Sequence, residues 1–169
     1  MDRTIVVVLS TLFILMINFK KLEEIAFALL PRHRGQMRTF HVAGVYRRKR
    51  LVSLGFNKDI THPKIGEFKY HELAKVHAEL SAVIKGGLEN YKGHEIAVLR
   101  INRNDKVDYS CPCNGCKDMI KQLNFSRAYF SNKSGQWEEL DLHNSTVEKE
   151  PNRFKCSKIK QFQNERQIL

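Results

Sequence analysis

The chain has 169 residues, of which 42% are hydrophobic, so it can bury the core of one compact domain and still leave residues for extensions. Lys and Arg outnumber Asp and Glu by 29 to 18, and the formal charge of +11 favours polyanionic partners such as nucleic acid, nucleotides or an anionic membrane. Four cysteines are too few for a disulfide framework in a chain of this length. Three of them lie within six residues, from 111 to 116, which indicates metal binding in a reducing compartment.

The segment from residue 4 to residue 19 is apolar but falls short of the roughly 20 residues that a membrane-spanning helix needs. It is either a short anchor that contacts a membrane, with Lys20 and Lys21 holding the domain in the cytoplasm, or an upstream extension of a chain that begins at Met16. A secretory signal fits less well, because no small-x-small cleavage site follows. We therefore expect an apolar extension or membrane anchor (1–18), a folded cytoplasmic domain (19–145) and a basic polar tail (146–169).

The first half of the domain reads as a helix, a hairpin and a second helix. Apolar residues at helical spacing predict a helix from Phe19 to Leu30, stopped by Pro31. Two β-rich runs between Thr39 and Asn57 are joined by the basic turn Arg47–Arg50, which predicts a hairpin. Helical spacing returns at Val76 and ends at the glycine pair 86–87.

The second half adds a strand, a third helix and another hairpin. "HEIAVLRI" (94–101) is a buried strand, Cys113 to Leu123 is helical, and the runs 127–131 and 136–142 flank the turn "NKSG". The order α-β-β-α-β-α-β-β predicts an α/β fold with a mixed five-stranded sheet, helices on its faces and antiparallel final strands.

A C-x-x-C pair opens the predicted third helix. Cys113 and Cys116 are three residues apart, so both side chains share one face of a helix. By itself such a pair is a redox dithiol, half of a structural zinc site or an accident of sequence. Pro112 fits the opening of a helix and extends the pattern to P-C-x-x-C.

The second helix contributes a histidine and a glutamate near its start. His77 and Glu79 stand in "KVHAEL", and with the cysteines they give H-x-E followed by P-C-x-x-C, the pattern of zinc deaminases. His77, Cys113 and Cys116 would supply three ligands to one Zn²⁺, whose fourth position a catalytic site keeps for water. Glu79 would remain free to move protons.

On "HAE" (77–79) and "PCNGC" (112–116), the chain resembles the cytidine deaminase-like zinc superfamily over roughly residues 19 to 142. A third match is "GFN" (55–57), because the family usually has an asparagine at the end of the second strand. The resemblance implies a three-layer α-β-α fold and hydrolytic deamination. It also implies that Glu79 accepts the water proton, delivers it to the ring nitrogen beside the attacked carbon and then protonates the departing ammonia.

The resemblance also implies substrate contacts. Asn57 would touch the sugar, and the N–H of Ala78 and the carbonyl of Cys111 are main-chain groups that the family aims at the base edge. His62 could reach a substrate phosphate or base, although a loop histidine is usually only solvated. The alternative to a catalytic site is a structural zinc with the thiol of Cys111 as fourth ligand, but an extended segment 110–112 would point that sulfur away from the helix start.

The resemblance favours cytosine over adenine. Antiparallel final strands are similar to those of free cytidine deaminases, whereas adenosine-editing and deoxycytidylate enzymes usually have a helix there. Free cytidine deaminases more often use cysteine where this chain has His77. We predict conversion of cytosine to uracil on a free nucleoside or nucleotide, with a single-stranded DNA or RNA cytosine deaminase as the alternative. An adenosine deaminase of the tRNA type and a non-catalytic zinc-binding module rank lower.

Basic residues suggest where phosphate groups would bind. The turn Arg47–Arg50 has the composition of a nucleic-acid contact. However, the strand that carries Asn57 to the site starts there, so we expect a solvated tip at the opposite end of the sheet. Lys58, Lys64 and Lys69 would face an incoming phosphate, and in a homo-oligomer a neighbouring subunit would supply lid residues.

Overall fold

The computed structural model describes residues 18–35, 39–60, 62–63 and 75–142. The expected anchor and basic tail, apart from Asn18 and Phe19, lie outside these residues. Within them, no helix is long and apolar enough to cross a membrane. The elements in chain order are α1 (Phe19–His33), β1 (Phe40–Arg47), β2 (Arg50–Phe56), α2 (Ala78–Gly86), β3 (His94–Ile101), β4 (Val107–Asp108), α3 (Asn114–Gln122), β5 (Arg127–Ser131) and β6 (Trp137–Glu139).

The strands form one mixed sheet in the order β2-β1-β3-β5-β6, with β4 paired to the end of β3. Strands β3 and β5 are parallel, and β5 and β6 are antiparallel, as predicted. The sheet has six strands and not the predicted five, because β4 adds two residues after a tight turn at Asn102–Lys106. A two-residue strand is too short to show alternation in the sequence.

Helices cover both faces of the sheet, which confirms the three-layer architecture within the described residues. One face packs on α1, whose buried residues Leu22, Ala26 and Leu30 recur at helical spacing. The other face packs on α2 and α3, through a core that includes Leu80 and Ile120. Alternate residues of the central strands β1 and β3 therefore face two different cores.

The prediction that Pro31 ends the first helix is wrong. Helix α1 continues to His33, and Pro31 lies in its last turn. Proline cannot donate a hydrogen bond from its own nitrogen, but the residues after it still can. The N–H of Arg34 still reaches the carbonyl of Leu30 at 3.0 Å and closes the turn.

Candidate active site

The metal-ligand pattern of the sequence comes together at the starts of two helices. Strands β2 and β3 both run antiparallel to β1, so the helices that follow them begin at the same edge of the sheet. His77 is the residue before α2, and Cys113 is the residue before α3. The Nδ1 atom of His77 lies 3.5 Å from the Sγ atoms of both Cys113 and Cys116. Two motifs 36 residues apart therefore form one cluster.

The geometry of this cluster fits a tetrahedral zinc ion. The ligand atoms of His77, Cys113 and Cys116 all lie within 4.8 Å of one another. Zinc binds nitrogen at about 2.0 Å and thiolate sulfur at about 2.3 Å, which in a tetrahedron separates nitrogen from sulfur by about 3.5 Å. Cys111 does not belong to this cluster. The three residues of the cluster would leave the fourth coordination position of the metal open.

The two thiols of the cluster share one hydrogen bond and titrate as a pair. The hydrogen bond from Cys116 holds the pKa of Cys113 down to about 4, against the effect of burial. The same bond and the burial of its sulfur raise the pKa of Cys116. Burial alone would lower the pKa of His77, but its hydrogen bond to Cys113 and the charge of that thiolate raise it. The cluster thus provides one thiolate without a metal, and a bound metal would displace the remaining protons.

Glu79 lies in the first turn of α2, beside these ligands. Its side chain is only 5% exposed, and burial raises its carboxyl pKa despite the opposing charge of His77. A carboxyl group with a raised pKa can hold a proton near neutral pH and release it again. The first N–H groups of α2, including that of Ala78, have no acceptor within the helix and lie at the same edge.

The backbone of strand β2 lies very close to the backbone of helix α2. At Gly55 a Cβ atom would overlap the backbone nitrogen of Ala82 and the carbonyl oxygen of Ala78. The hydroxyl of Ser53 donates to the carbonyl of Ala82 at 2.6 Å. The position of His77 at the start of α2 thus depends on a strand residue without a side chain.

A buried pair of serines holds the segment that leads to Cys113. The hydroxyl of Ser110 donates to the carbonyl of Val98 at 2.7 Å, and the hydroxyl of Ser131 donates to the carbonyl of Asp108 at 2.6 Å. The two side-chain oxygens are 2.8 Å apart. These bonds tie residues 108–110 to strands β3 and β5.

Asn57 follows β2 at the site edge, as predicted, but its side chain is bonded to β1. Its Oδ1 accepts from the N–H of His41 at 2.8 Å, and its Nδ2 donates to the carbonyl of Thr39 at 3.0 Å. The next residue, Lys58, donates its N–H to the carbonyl of Val76 at 2.8 Å. Asn57 is thereby close to the start of α2, and its contact with a sugar stays a prediction.

Two residues near the ligands were missed by the sequence reasoning. His41 and Arg100 are register partners on β1 and β3, on the face that packs on α2 and α3. Burial, Arg100 and His77 together lower the pKa of His41 to about 4, so its imidazole is neutral at pH 7. Arg100 lies 3.9 Å from a carboxylate oxygen of Asp108, and its Nε is buried without a hydrogen-bond partner among the described residues. No local signal marks these residues, because strand register brings them together.

The other residues predicted to contact substrate do not belong to the cluster of His77, Cys113 and Cys116. Cys111 is half-buried, and its thiol lies 3.8 Å from the carbonyl of Pro112. His62 is half-buried in a two-residue described stretch and has interactions there, but it is not part of the ligand cluster. Lys58 is exposed, whereas Lys64 and Lys69 lie outside the described residues. The roles of Cys111 and His62 stay predictions.

Residues 16–132 match the family model of the cytidine and deoxycytidylate deaminase zinc-binding region. No curated protein matches the chain in sequence. Cytidine deaminase from Burkholderia pseudomallei has 17% identity and a TM-score of 0.50, over 75% of this chain and 94% of its own. The dCMP deaminase from cyanophage S-TIM5 has 18% identity and a TM-score of 0.44, over 68% and 82% of the two chains. At these identities, the likeness to the Burkholderia structure concerns the fold alone.

Proposed function

The chain belongs to the family of the cytidine and deoxycytidylate deaminase zinc-binding region, whose chemistry is zinc-dependent deamination of cytosine, and from this premise we propose that it converts cytosine to uracil in a free nucleoside or nucleotide. The observation that carries the proposal is the convergence of His77, Cys113 and Cys116 beside the buried carboxyl of Glu79. His77, Cys113 and Cys116 would hold the zinc ion.

Zinc in such a site lowers the pKa of water from 15.7 to about 7 and so makes hydroxide available at neutral pH. Glu79 would accept the proton that water loses on becoming hydroxide and would deliver it to the ring nitrogen beside C4, while C4 accepts the hydroxyl oxygen. The proton of the hydroxyl group then bound to C4 would pass through Glu79 to the exocyclic amine, which would leave as ammonia as the carbonyl of uracil forms. The balance is cytosine plus water giving uracil plus ammonia, with Glu79 regenerated.

The raised pKa of Glu79 supports this role. A carboxyl group with an ordinary pKa would be ionised almost completely at pH 7 and would return a proton to a weakly basic nitrogen less readily. Burial raises the pKa of Glu79 toward the working range. The burial of the carboxyl therefore serves the reaction although it disfavours the charged form.

The pairing of the last two strands supports the proposal of a free nucleoside or nucleotide as substrate. Strand β6 pairs antiparallel with β5 through the partners Tyr129–Glu139, Phe130–Glu138 and Ser131–Trp137. The substrate prediction rests on the family resemblance, in which antiparallel final strands are similar to those of free cytidine deaminases. The histidine ligand at position 77 is the departure from that group, so the choice between nucleoside and nucleotide needs an experiment.

The experiment is one substrate panel. Full-length protein with one equivalent of zinc is incubated with cytidine, deoxycytidine, their monophosphates, adenosine and single-stranded oligonucleotides, and the deaminated products are measured. The proposal expects uracil from at least one free substrate, with a higher kcat/KM than for the oligonucleotides, and no product from the Glu79→Gln variant. Product from oligonucleotides alone would favour the editing alternative, and no product at all would favour a non-catalytic zinc module.

Three further assignments belong to the same proposal. We assign residues 19–145 to the deaminase domain, which overlaps the matched residues 16–132. We place the protein in the cytoplasm, because cysteines that would bind a metal ion, as Cys113 and Cys116 would, are typical of a reducing compartment. A homo-oligomer would let a neighbouring subunit complete the substrate pocket, and light scattering of the purified protein tests it.

A further inference from the structure

The turn between β1 and β2 is built from residues that its backbone disfavours. Arg47 and Arg50 are register partners, so Arg48 and Lys49 form a two-residue loop with φ values of 47° and 66°. Positive φ at both positions defines a type I′ turn, for which Asn-Gly is the preferred pair because long side chains are strained there. This chain places two cations, Arg48 and Lys49, at the positions where Asn and Gly would be more stable.

The four cations of this basic tip (Arg47–Arg50) are exposed, and none of them forms an ion pair with a described carboxylate. They share this lack of an ion-pair partner within the described ranges with other exposed cations such as Lys58 and Lys133, but only at the tip do four such cations follow one another in sequence. Clustered like charges repel one another, and no carboxylate of the described residues offsets this repulsion. A strained turn that also concentrates charge indicates a selected contact with an anionic partner.

The basic tip is separated from the candidate active site by the length of the sheet. His41 lies at the site edge, and Arg47 lies six residues further along β1, about 20 Å away in an extended strand. A substrate bound at the zinc ligands would not reach the tip. Any partner of the tip would therefore be distinct from the deaminase substrate.

We propose that the basic tip binds the phosphate backbone of nucleic acid, independently of base sequence and of the deaminase site. Three of the four cations are arginines, whose planar guanidinium group matches phosphate oxygens in pairs. The tip itself contains no aromatic residue on which bases could stack. The contact is therefore electrostatic and does not depend on base sequence.

A membrane is a poorer partner for this surface. The exposed apolar residues next to the tip are Leu51 and Val52, which are 38% and 51% exposed. Val52 is the extra residue of a β-bulge between Leu51, which pairs with Tyr46, and Ser53, which pairs with Val45, so the apolar surface beside the tip consists of two partly exposed side chains. Insertion of a basic loop into a membrane interface needs apolar residues on one side.

The test replaces the two central cations with the pair that the turn prefers, Arg48→Asn with Lys49→Gly. The change relieves the positive-φ strain, so the melting temperature rises by a few degrees. It also removes two phosphate contacts. Fluorescence anisotropy with a short duplex DNA of mixed sequence, between about 0.05 and 0.2 M KCl, should show affinity reduced on the order of 10- to 100-fold and a salt slope smaller by about 2.

The matched control removes two charges from a different turn, Arg103→Asn with Lys106→Asn, in the exposed connection between β3 and β4. This control should keep most of the affinity, and both double variants should deaminate free substrate like the unmodified protein. Because stability and binding move in opposite directions in the tip variant, misfolding cannot produce the expected result.

Four results would overturn the proposal. The first is failure of the unmodified protein to bind duplex DNA, and the second is an unchanged affinity and salt slope in the tip variant. The third is a control variant that loses as much affinity as the tip variant, which would point to overall charge. The fourth is a tip variant that loses binding to phosphatidylserine vesicles while keeping its affinity for DNA, which would assign the tip to a membrane.

Discussion

The side-chain oxygen of Asn57 accepts the backbone N–H of His41 at 2.8 Å and fastens the end of β2 to the start of β1. The backbone N–H of Asn57 returns a hydrogen bond to the carbonyl of His41 at 3.3 Å. The neutral imidazole of His41 is thereby held close enough to His77 for the two to interact electrostatically. Asn57 keeps one amide hydrogen and one lone pair beyond these bonds, so positioning His41 and touching a sugar are compatible roles.

We expect Asn57→Ala to lower the free energy of unfolding by about 1–3 kcal/mol, because it leaves the N–H of His41 and the carbonyl of Thr39 without their side-chain partner. It should also lower kcat/KM. If Asn57 acts through His41, the losses in kcat/KM for Asn57→Ala and His41→Ala are not additive in the double variant. Additive losses would instead support a separate contact of Asn57 with the sugar.

His41 should make the metal-free protein sensitive to acid. Burial and the charge of Arg100 lower its pKa from 6.5 to about 4, so between these values the unfolded chain binds a proton that the folded chain refuses. Stability contributed by neutral His41 is therefore present above pH 6.5 and is lost as the pH falls toward 4, with an upper limit of about 3 kcal/mol. We expect urea unfolding with a chelator present to show that the free energy of unfolding falls less steeply with decreasing pH in His41→Gln than in the unmodified protein. Equal pH profiles for the two proteins would contradict the assignment.

Glu79→Gln should abolish deamination and stabilise the metal-free protein. The variant cannot shuttle protons, which costs on the order of 100- to 10,000-fold in kcat. Since burial raises the pKa of Glu79, the folded state disfavours the carboxylate, and a neutral amide removes that cost at pH 7. The melting temperature at pH 7 and product formation are the two measurements. A variant that is both inactive and less stable would indicate a structural role for the carboxyl group.

Gly55→Ala should displace α2 and weaken metal binding. The added methyl group overlaps backbone atoms of Ala78 and Ala82, which cannot move without shifting the helix that begins after His77. Gly44→Ala on the neighbouring strand is the control, since its methyl group would meet side-chain atoms of Leu51 and Tyr46. We expect zinc affinity, measured by competition with a chromogenic chelator, to fall in the first variant only.

Cys111→Ser should retain one zinc ion per chain, whereas Cys113→Ser should lose it or bind it far more weakly. Only Cys113 and Cys116, of the described cysteines, have sulfur atoms in the cluster with His77. Cobalt substitution provides the readout, because the sulfur-to-metal absorption reports the number of bound thiolates. Unchanged spectra in Cys113→Ser together with a weakened band in Cys111→Ser would exchange the roles of these two residues.

Much of the fold was predictable because its elements carry strong local patterns. The strands at 94–101 and 127–131 have the predicted bounds, since each is a short apolar run between turn residues. The starts of α2 and α3 were close to those expected. Strand β4 and the last turn of α1 were missed, because the first is two residues long and the second continues past a proline.

The sequence by itself determined the candidate metal ligands, because a histidine before one helix and two cysteines at the start of another are local motifs with fixed spacing. Only the tertiary structure decided that His41 and Arg100 lie beside them and that Asn57 is bonded to β1. These contacts depend on the register between strands distant in the chain, and a shift of one residue would turn each of those side chains to the other face of the sheet.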